Sequence, residues 1–205
     1  MQFTENHGII NENLFHIGGT DVFSSRIWSL LADSFWKILL PGLTATIPLT
    51  VISFSLAMVI AVCVAMVQFA NVKVLKQLCR FYIWIFRGTP LLVQLFVVFY
   101  GFPKLGILME PFPAAVLVFS LNEGAYSAET IRAALEAVPV GQLEAGYCVG
   151  MNYLQIMRRI ILPQAMRTAF PPLSSSLIAM VKDTSLAANI TVTEMFMATQ
   201  RIAAR

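Results

Sequence analysis

From residue 38 to residue 72 the chain carries no charged side chain. A helix that crosses the hydrocarbon core of a bilayer needs about 20 mostly apolar residues, so this stretch has room for a complete span. The composition points the same way. Hydrophobic residues make up 58% of the chain and charged residues 12%, where soluble domains carry about 25% charged residues. Mean hydropathy is +0.74. Only closed barrels and helices satisfy their backbone inside lipid, and this pattern is helical, so the expected fold class is an all-α, multi-span membrane helix bundle. A chain of 205 residues suits one compact unit.

Residues 1–25 are mixed and polar. Glu5 and Glu12 stand where a signal peptide would have a basic region, and no apolar core leads to a small-residue cleavage site. The segment from Arg26 to Lys37 is partly amphipathic, and Trp28 and Trp36 suit a membrane–water interface. Residues 1–35 therefore read as a polar arm with an interfacial segment, and residues 36–205 as the membrane domain. Pro41 and Pro48 lie near the start of the first span, where a proline costs least or kinks the helix. A second span is expected from about 81 to 101, with Arg87 near its start. Gly101, Pro103, Gly106, Pro111 and Pro113 then mark a short loop. A third span covers about 112 to 135, and a fourth runs from after Pro163 to about 191, interrupted by Lys182 and Asp183. No further apolar run of spanning length remains in 191–205, so four spans are expected.

Charge gives the sidedness. Lys73, Lys76 and Arg80 share one side with Arg132, Arg158, Arg159 and Arg167, whereas the opposite short loop has only Lys104. Cytoplasmic loops carry the Lys/Arg excess. The N-terminus is then expected outside, and residues 140–163 in the cytoplasm.

That cytoplasmic segment is polar and jointed by glycine. Residues 141–149 read as a short helix, and Gly150 suits its end because glycine adopts the left-handed conformation that closes helices. Asn152 is a good N-cap, and Gln155 three residues later completes a capping box. A helix, a glycine joint and a second helix on a membrane protein make a plausible docking surface for a soluble partner.

Polar residues inside the membrane are the second signal. Lys182-Asp183-Thr184-Ser185 sits in an apolar stretch, where each charge costs at least about 2.5–3.5 kcal/mol on insertion scales. Neighbouring helical residues do not face each other, so these charges reach different partners or flank a helix break. They line a route for a zwitterionic solute or form structural pairs. In Arg87-Gly88-Thr89-Pro90, Pro90 removes an amide donor and Gly88 lets the backbone approach a ligand. Glu123 and Glu129 could serve a membrane enzyme as acid or base. No nucleophile or ligand set accompanies them, which favours pairing with Arg132 or Arg87.

No metal, catalytic or cofactor site is expected. Cys63, Cys79 and Cys148 form no C-x-x-C pair, and His7 and His16 have no ligand-spaced partners. Nothing reads G-x-x-x-x-G-K-[ST], so the chain has no P-loop with which to hydrolyse ATP.

Glu144-Ala145-Gly146-Tyr147-Cys148-Val149-Gly150, nine residues, then Ile160-Ile161-Leu162-Pro163, resembles the E-A-A-x-x-x-G-x9-I-x-L-P signature of bacterial ABC importer membrane subunits. Gly146 replaces one consensus alanine. Phe86-Arg87-Gly88-Thr89-Pro90-Leu91-Leu92-Val93-Gln94, Leu162-Pro163-Gln164-Ala165 and Val181-Lys182-Asp183-Thr184-Ser185-Leu186 resemble the permeases of the polar amino-acid branch. Within it, Tyr82-Ile83-Trp84-Ile85-Phe86, Phe119-Ser120-Leu121-Asn122 and Tyr126-Ser127-Ala128-Glu129-Thr130 look closest to cystine permeases.

The resemblance implies a type I importer permease in the bacterial plasma membrane. It would act as a homo- or heterodimer with an ABC ATPase subunit and an extracytoplasmic amino-acid-binding protein, and ATP would be used by the partner alone. It assigns Glu144, Ala145, Gly146, Gly150, Ile160, Leu162 and Pro163 to ATPase coupling. The substrate route would use Arg87, Gly88, Thr89, Pro90, Gln94, Lys182, Asp183 and Ser185. Such permeases usually have five spans, so a count of four implies that the fifth is missing. A secondary transporter and an intramembrane enzyme using Glu123 or Glu129 are the alternatives. Secondary transporters usually carry internal repeats, and none is evident here.

Overall fold

The computed structural model of the chain describes residues 25–69 and 73–204, with side chains from residue 32 onward. Glu5, Glu12, His7, His16 and the Trp28 side chain lie outside what is described. The described residues are mostly helical, and none of them is in a strand.

The first helix, α1 (Ser25–Pro41), runs through a π-helical turn at Gly42–Thr46 into α2 (Ile47–Phe69). The turn falls between Pro41 and Pro48. Each proline removes an amide from the ladder, and wider turns arise where the ladder is interrupted. Together, Ala32–Phe69 is long and apolar enough to cross a membrane.

α2 packs along α5 (Pro111–Glu136) in the closest helix pairing of the bundle. Its inner stripe is Ser53, Ala57, Ala61 and Ala65, all fully buried. Its outer face carries Val51, Leu56, Val59, Val62 and Met66, all exposed. Small residues inside and large apolar ones outside is the pattern of helices that associate within lipid, where close backbone approach rather than hydrophobicity drives packing. Gly124 marks the tightest approach, because a Cβ there would meet both Ile60 Cγ2 and the Tyr82 hydroxyl at 3.0 Å. The two helices run parallel. Leu49 shares one core with Ala114, Ala115 and Val118, while Phe69 packs at the other end with Ala134 and Leu135.

The expected third and fourth spans are α5 and α8 (Leu162–Asp183), with 26 and 22 residues. At 1.5 Å per residue they are about 39 and 33 Å long, enough to cross. Neither is uniformly apolar, and Ala32–Phe69 is the one described helix that passes by hydropathy without a bend. The polar residues that lower α5 include Ser120 and Ser127, and both are buried against neighbouring helices. A span enclosed by other helices can carry such residues.

The second span departs from its expected form. Helix α3 (Lys73–Gly88) and helix α4 (Leu91–Phe96, continuing through π and 3-10 turns to Leu105) meet at 103°. It is a sharply bent helix pair rather than a single rod. Pro90 has no amide to donate, and it disfavours the helical region for Thr89. Beyond α5, α6 (Val140–Cys148) and α7 (Tyr153–Ile156) lead through a π turn into α8. A 3-10 segment, Thr184–Ile190, follows α8 and leads to α9 (Met195–Ala203). Glu194 caps α9 by accepting from the amides of Phe196 and Met197, and the Met195 amide donates to Thr46 Oγ1.

Candidate functional site

The residues singled out in the sequence fall into two places. The first is the bend between α6 and α7. Val149 closes α6, and Gly150 follows with φ of +80°. The Gly150 amide donates to the Tyr147 carbonyl at 2.9 Å, and the Met151 amide to the Gly146 carbonyl at 3.1 Å. These two bonds form a Schellman closure, which requires the left-handed residue. The next helix opens at once. The Gln155 amide donates to Asn152 Oδ1 at 2.9 Å, and the Asn152 amide to Gln155 Oε1 at 3.0 Å. The expected capping box is therefore complete.

Gly146 explains its own departure from the consensus. It is buried, and a Cβ there would lie 2.6 Å from Ile156 Cγ1 and 2.8 Å from Cδ1. Ile156 is itself fully buried in the core formed by α5, α7 and α8. Its β-branched bulk fills the space that the Cβ of an alanine at 146 would occupy. Glu144, Ala145, Tyr147 and Val149 face outward, as do Tyr153 and Leu154 across the bend. Ile160 packs on the same core, and Leu162 and Pro163 begin α8. All seven residues assigned to coupling thus belong to one capped elbow or its base, and its outer face is largely apolar.

The second place is the middle of the bundle, where two helices break. At the first break, Thr89 Oγ1 donates to the Ile85 carbonyl at 2.8 Å. Gln94 Nε2 lies 2.9 Å from the Phe86 carbonyl, 3.0 Å from the Thr89 carbonyl and 2.8 Å from Thr89 Oγ1. Asn122 Nδ2 on α5 donates both to Gln94 Oε1 and to the Phe86 carbonyl, each at 3.1 Å. Carbonyls that lose their partners at a helix end must find others inside a membrane, and Gln94 and Asn122 supply them. Gly88 stands clear, since a Cβ there would meet nothing within 4 Å. The Arg87 guanidinium lies 5.1 Å from the centre of the Tyr126 ring.

At the second break the α-helix ends at Asp183, and a tighter 3-10 segment holds Ser185. Lys182 and Asp183 are exposed and flank the break, the second of the two sequence expectations. Glu123 faces this region. It accepts from Ser127 Oγ at 2.6 Å, with Ser176 of α8 and Asp183 nearby. The expectation that Glu123 pairs with an arginine is corrected here. Only Glu129 does so, with Arg132, which also donates to Glu136 at 2.6 Å. Asn122 and Glu123 are adjacent on α5 and point about 100° apart, so one helix serves both breaks. Sequence reading named Asn122 and Tyr82 only within a family resemblance and gave them no role; the Tyr82 hydroxyl donates to the Leu121 carbonyl at 2.5 Å. An asparagine beside Glu123 in an expected membrane span was the available signal.

Residues 57–204 match the family described as the inner membrane component of binding-protein-dependent transport systems. Over 178 residues the chain is 49% identical to the L-cystine transport system permease protein TcyB of Bacillus subtilis (strain 168), covering 87% of this chain and 76% of that protein. It is 43% identical to TcyL, another L-cystine transport system permease protein of that strain, over 76% of this chain and 70% of the relative. Among solved structures, an amino acid ABC transporter crystallised with histidines superposes with a TM-score of 0.80 and 29% identity, covering 85% of this chain and 81% of that one. The inward-facing MetNI methionine ABC transporter shares the fold, with a TM-score of 0.59 and 21% identity over 85% of this chain and 80% of the other.

Proposed function

The chain belongs to the inner membrane components of binding-protein-dependent transport systems, and from that premise we propose that it carries L-cystine across the plasma membrane as one half of an ATP-driven importer. It is a permease subunit of an amino-acid ABC importer, a transport subunit rather than an enzyme. This assignment displaces both the intramembrane enzyme and the secondary transporter. The cystine reading rests on one observation, the 49% identity to TcyB across 87% of this chain.

The geometry supplies the two parts such a subunit needs. The elbow of α6 and α7 offers an exposed, mostly apolar face on a rigid, capped base, and it suits the cleft of an ATPase subunit in the cytoplasm. The breaks at Gly88–Pro90 and Asp183–Thr184 leave half-helix ends in mid-bundle, where discontinuous helices of transporters hold their solutes. Arg87, Lys182, Asp183 and Glu123 provide both signs of charge for a zwitterion. Gln94 acts there by holding the first break open. A second permease copy and an extracytoplasmic binding protein complete the assembly.

Uptake of radiolabelled L-cystine, by this chain expressed with its ATPase and binding protein, tests the proposal. Excess unlabelled cystine should suppress uptake, while histidine and glutamine should not. Suppression by histidine or glutamine alone would move the substrate elsewhere in the polar amino-acid branch. Failure to co-purify any ATPase subunit would overturn the importer reading itself. Gly150→Val places a β-branched residue at φ of +80°. It should leave the chain in the membrane and assembled, but abolish uptake while ATP hydrolysis continues.

A further inference from the structure

A cavity of about 620 Å³ opens between the end of α2, the length of α3 and the last turns of α5. Lys76, Arg80 and Arg87 recur on α3 at spacings of four and seven, so they share one helix face, and that face lines the cavity. Arg132 enters from α5. The lining carboxylates are Glu129 and Glu136, and both are bonded to Arg132. Among the described lining residues, three arginines (Arg80, Arg87 and Arg132) face two carboxylates that Arg132 already holds, which leaves an excess of positive charge at Arg80 and Arg87.

Gln68 adds a second, independent observation. Its side chain lines the cavity and is only 6% exposed. Among the described residues nothing accepts a hydrogen bond from its Nε2. A buried amide donor without an acceptor is rare in a folded protein, and it calls for a partner. The partner this lining would recognise is an anion rich in acceptor oxygens.

The cavity also has an apolar border. Trp84 lines it while remaining 71% exposed, and stacks on Phe81 with ring centres 6.1 Å apart. Val74, Leu78 and Phe81 form an exposed stripe on α3 beside the basic face. Tryptophan at such a border marks the headgroup level of a bilayer. Basic pockets between membrane helices on the cytoplasmic side suit acidic lipid headgroups. We propose that this cavity binds the phosphate headgroup of an acidic phospholipid of the cytoplasmic leaflet, with Arg80 and Gln68 as its contacts and Trp84 at its acyl border. The bound lipid braces α3 against α5 directly below the first helix break, and so ties transport to lipid composition. The inference rests on the membrane reading and is independent of which solute is carried.

Trp84 is a built-in reporter. The full transporter, with Trp28 and Trp36 replaced by Phe, is reconstituted into vesicles containing either brominated phosphatidylglycerol or brominated phosphatidylcholine. Bromolipids quench tryptophan on contact. Phosphatidylglycerol should quench Trp84 at a several-fold lower mole fraction than phosphatidylcholine. Arg80→Gln should reduce that preference about fivefold, the effect expected of one basic residue near an anionic surface. Gln68→Leu, of similar volume, should weaken it with assembly intact, and Arg80→Lys should largely retain it. Lys104→Gln, on the opposite loop, should change nothing. Equal quenching by the two lipids would overturn the proposal. So would loss of the preference on adding inorganic phosphate, which would assign the cavity to a soluble anion. A preference that survives in both Arg80→Gln and Gln68→Leu would place the lipid elsewhere. Cystine uptake in the same vesicles is scored separately, so a wrong solute leaves the lipid result standing.

Discussion

The elbow at Gly150 and the break at Gly88–Pro90 do the same geometric job by different means. Each turns a helix sharply, and each must find partners for the backbone groups that the turn releases. The elbow does so with residues no more than six apart. A left-handed glycine closes α6, Asn152 and Gln155 cap α7, and every bond lies between residues 145 and 156. The break in the bundle instead draws on Gln94, eight residues from Phe86, and on Asn122 from another helix. Water can satisfy an imperfect cap at the membrane surface. Lipid cannot, so a break among the spanning helices depends on tertiary partners. The elbow should therefore tolerate damage that the break does not.

Gln94→Leu should have the largest effect. Hydrogen bonds between membrane helices average only about 0.6 kcal/mol, because the unfolded reference also finds partners in the membrane. Stranding a carbonyl away from water costs more, up to about 1–3 kcal/mol when it is fully buried. The substitution removes every side-chain donor to the Thr89 carbonyl and leaves Asn122 as the remaining side-chain donor to Phe86. A loss of about 2–3 kcal/mol is expected, read as a lower thermal midpoint of the purified protein in detergent. A midpoint unchanged from wild type would mean that the break holds itself, and the contrast with the elbow would fail.

Gly146→Ala should come next. Its Cβ would overlap Ile156, which cannot retreat because it is fully buried in the core. Overpacking of this kind costs about 1–3 kcal/mol. The damage should be local, seen as faster hydrogen exchange across residues 140–161 with the bundle unaffected. Ile156→Ala alone opens a cavity. Combined with Gly146→Ala it should be less harmful than the two single effects added together, because the new methyl enters the space that Ile156 vacates. Strict additivity would show that the two side chains do not compete.

The same division decides what could be read from the residues alone. The bend and caps of the elbow were legible, since Gly150, Asn152 and Gln155 act through neighbours in sequence. The apolar stretch at 38–72 was legible too, because it has no charge to accommodate. The bend of the second span was not. Arg87 to Pro90 signalled a weak point, but the angle depends on Asn122, which lies 36 residues from Phe86. Glu123 was misread for a related reason. Arginine was the obvious partner in the linear sequence, yet the fold sets Glu123 beside Ser127 and Ser176. Gly146 looked like a defect in a motif until Ile156 was seen in its place.

The smallest effect reverses the sign and tests the comparison most finely. Thr191 closes the 3-10 segment beyond the second break with φ of +65°, and it is the one non-glycine residue with positive φ among those described. Its amide donates to the Ala188 carbonyl and that of Val192 to the Ala187 carbonyl, so the turn is closed much as Gly150 closes α6. A β-branched residue in this conformation carries about 1–2 kcal/mol of strain. Thr191→Gly relieves that strain, but glycine loses about 0.5–1 kcal/mol in chain entropy on folding. The two nearly offset each other, leaving a net stabilisation of about 0.5 kcal/mol, visible as a small rise in the thermal midpoint. The reciprocal change, Gly150→Thr, adds the strain and recovers the glycine entropy, so at the elbow it should lower the midpoint by a similarly small amount. A rise for Thr191→Gly beside a fall for Gly150→Thr would show that both turns are held in place by their surroundings. A fall for Thr191→Gly would mean that the threonine side chain contributes more at position 191 than its backbone strain removes.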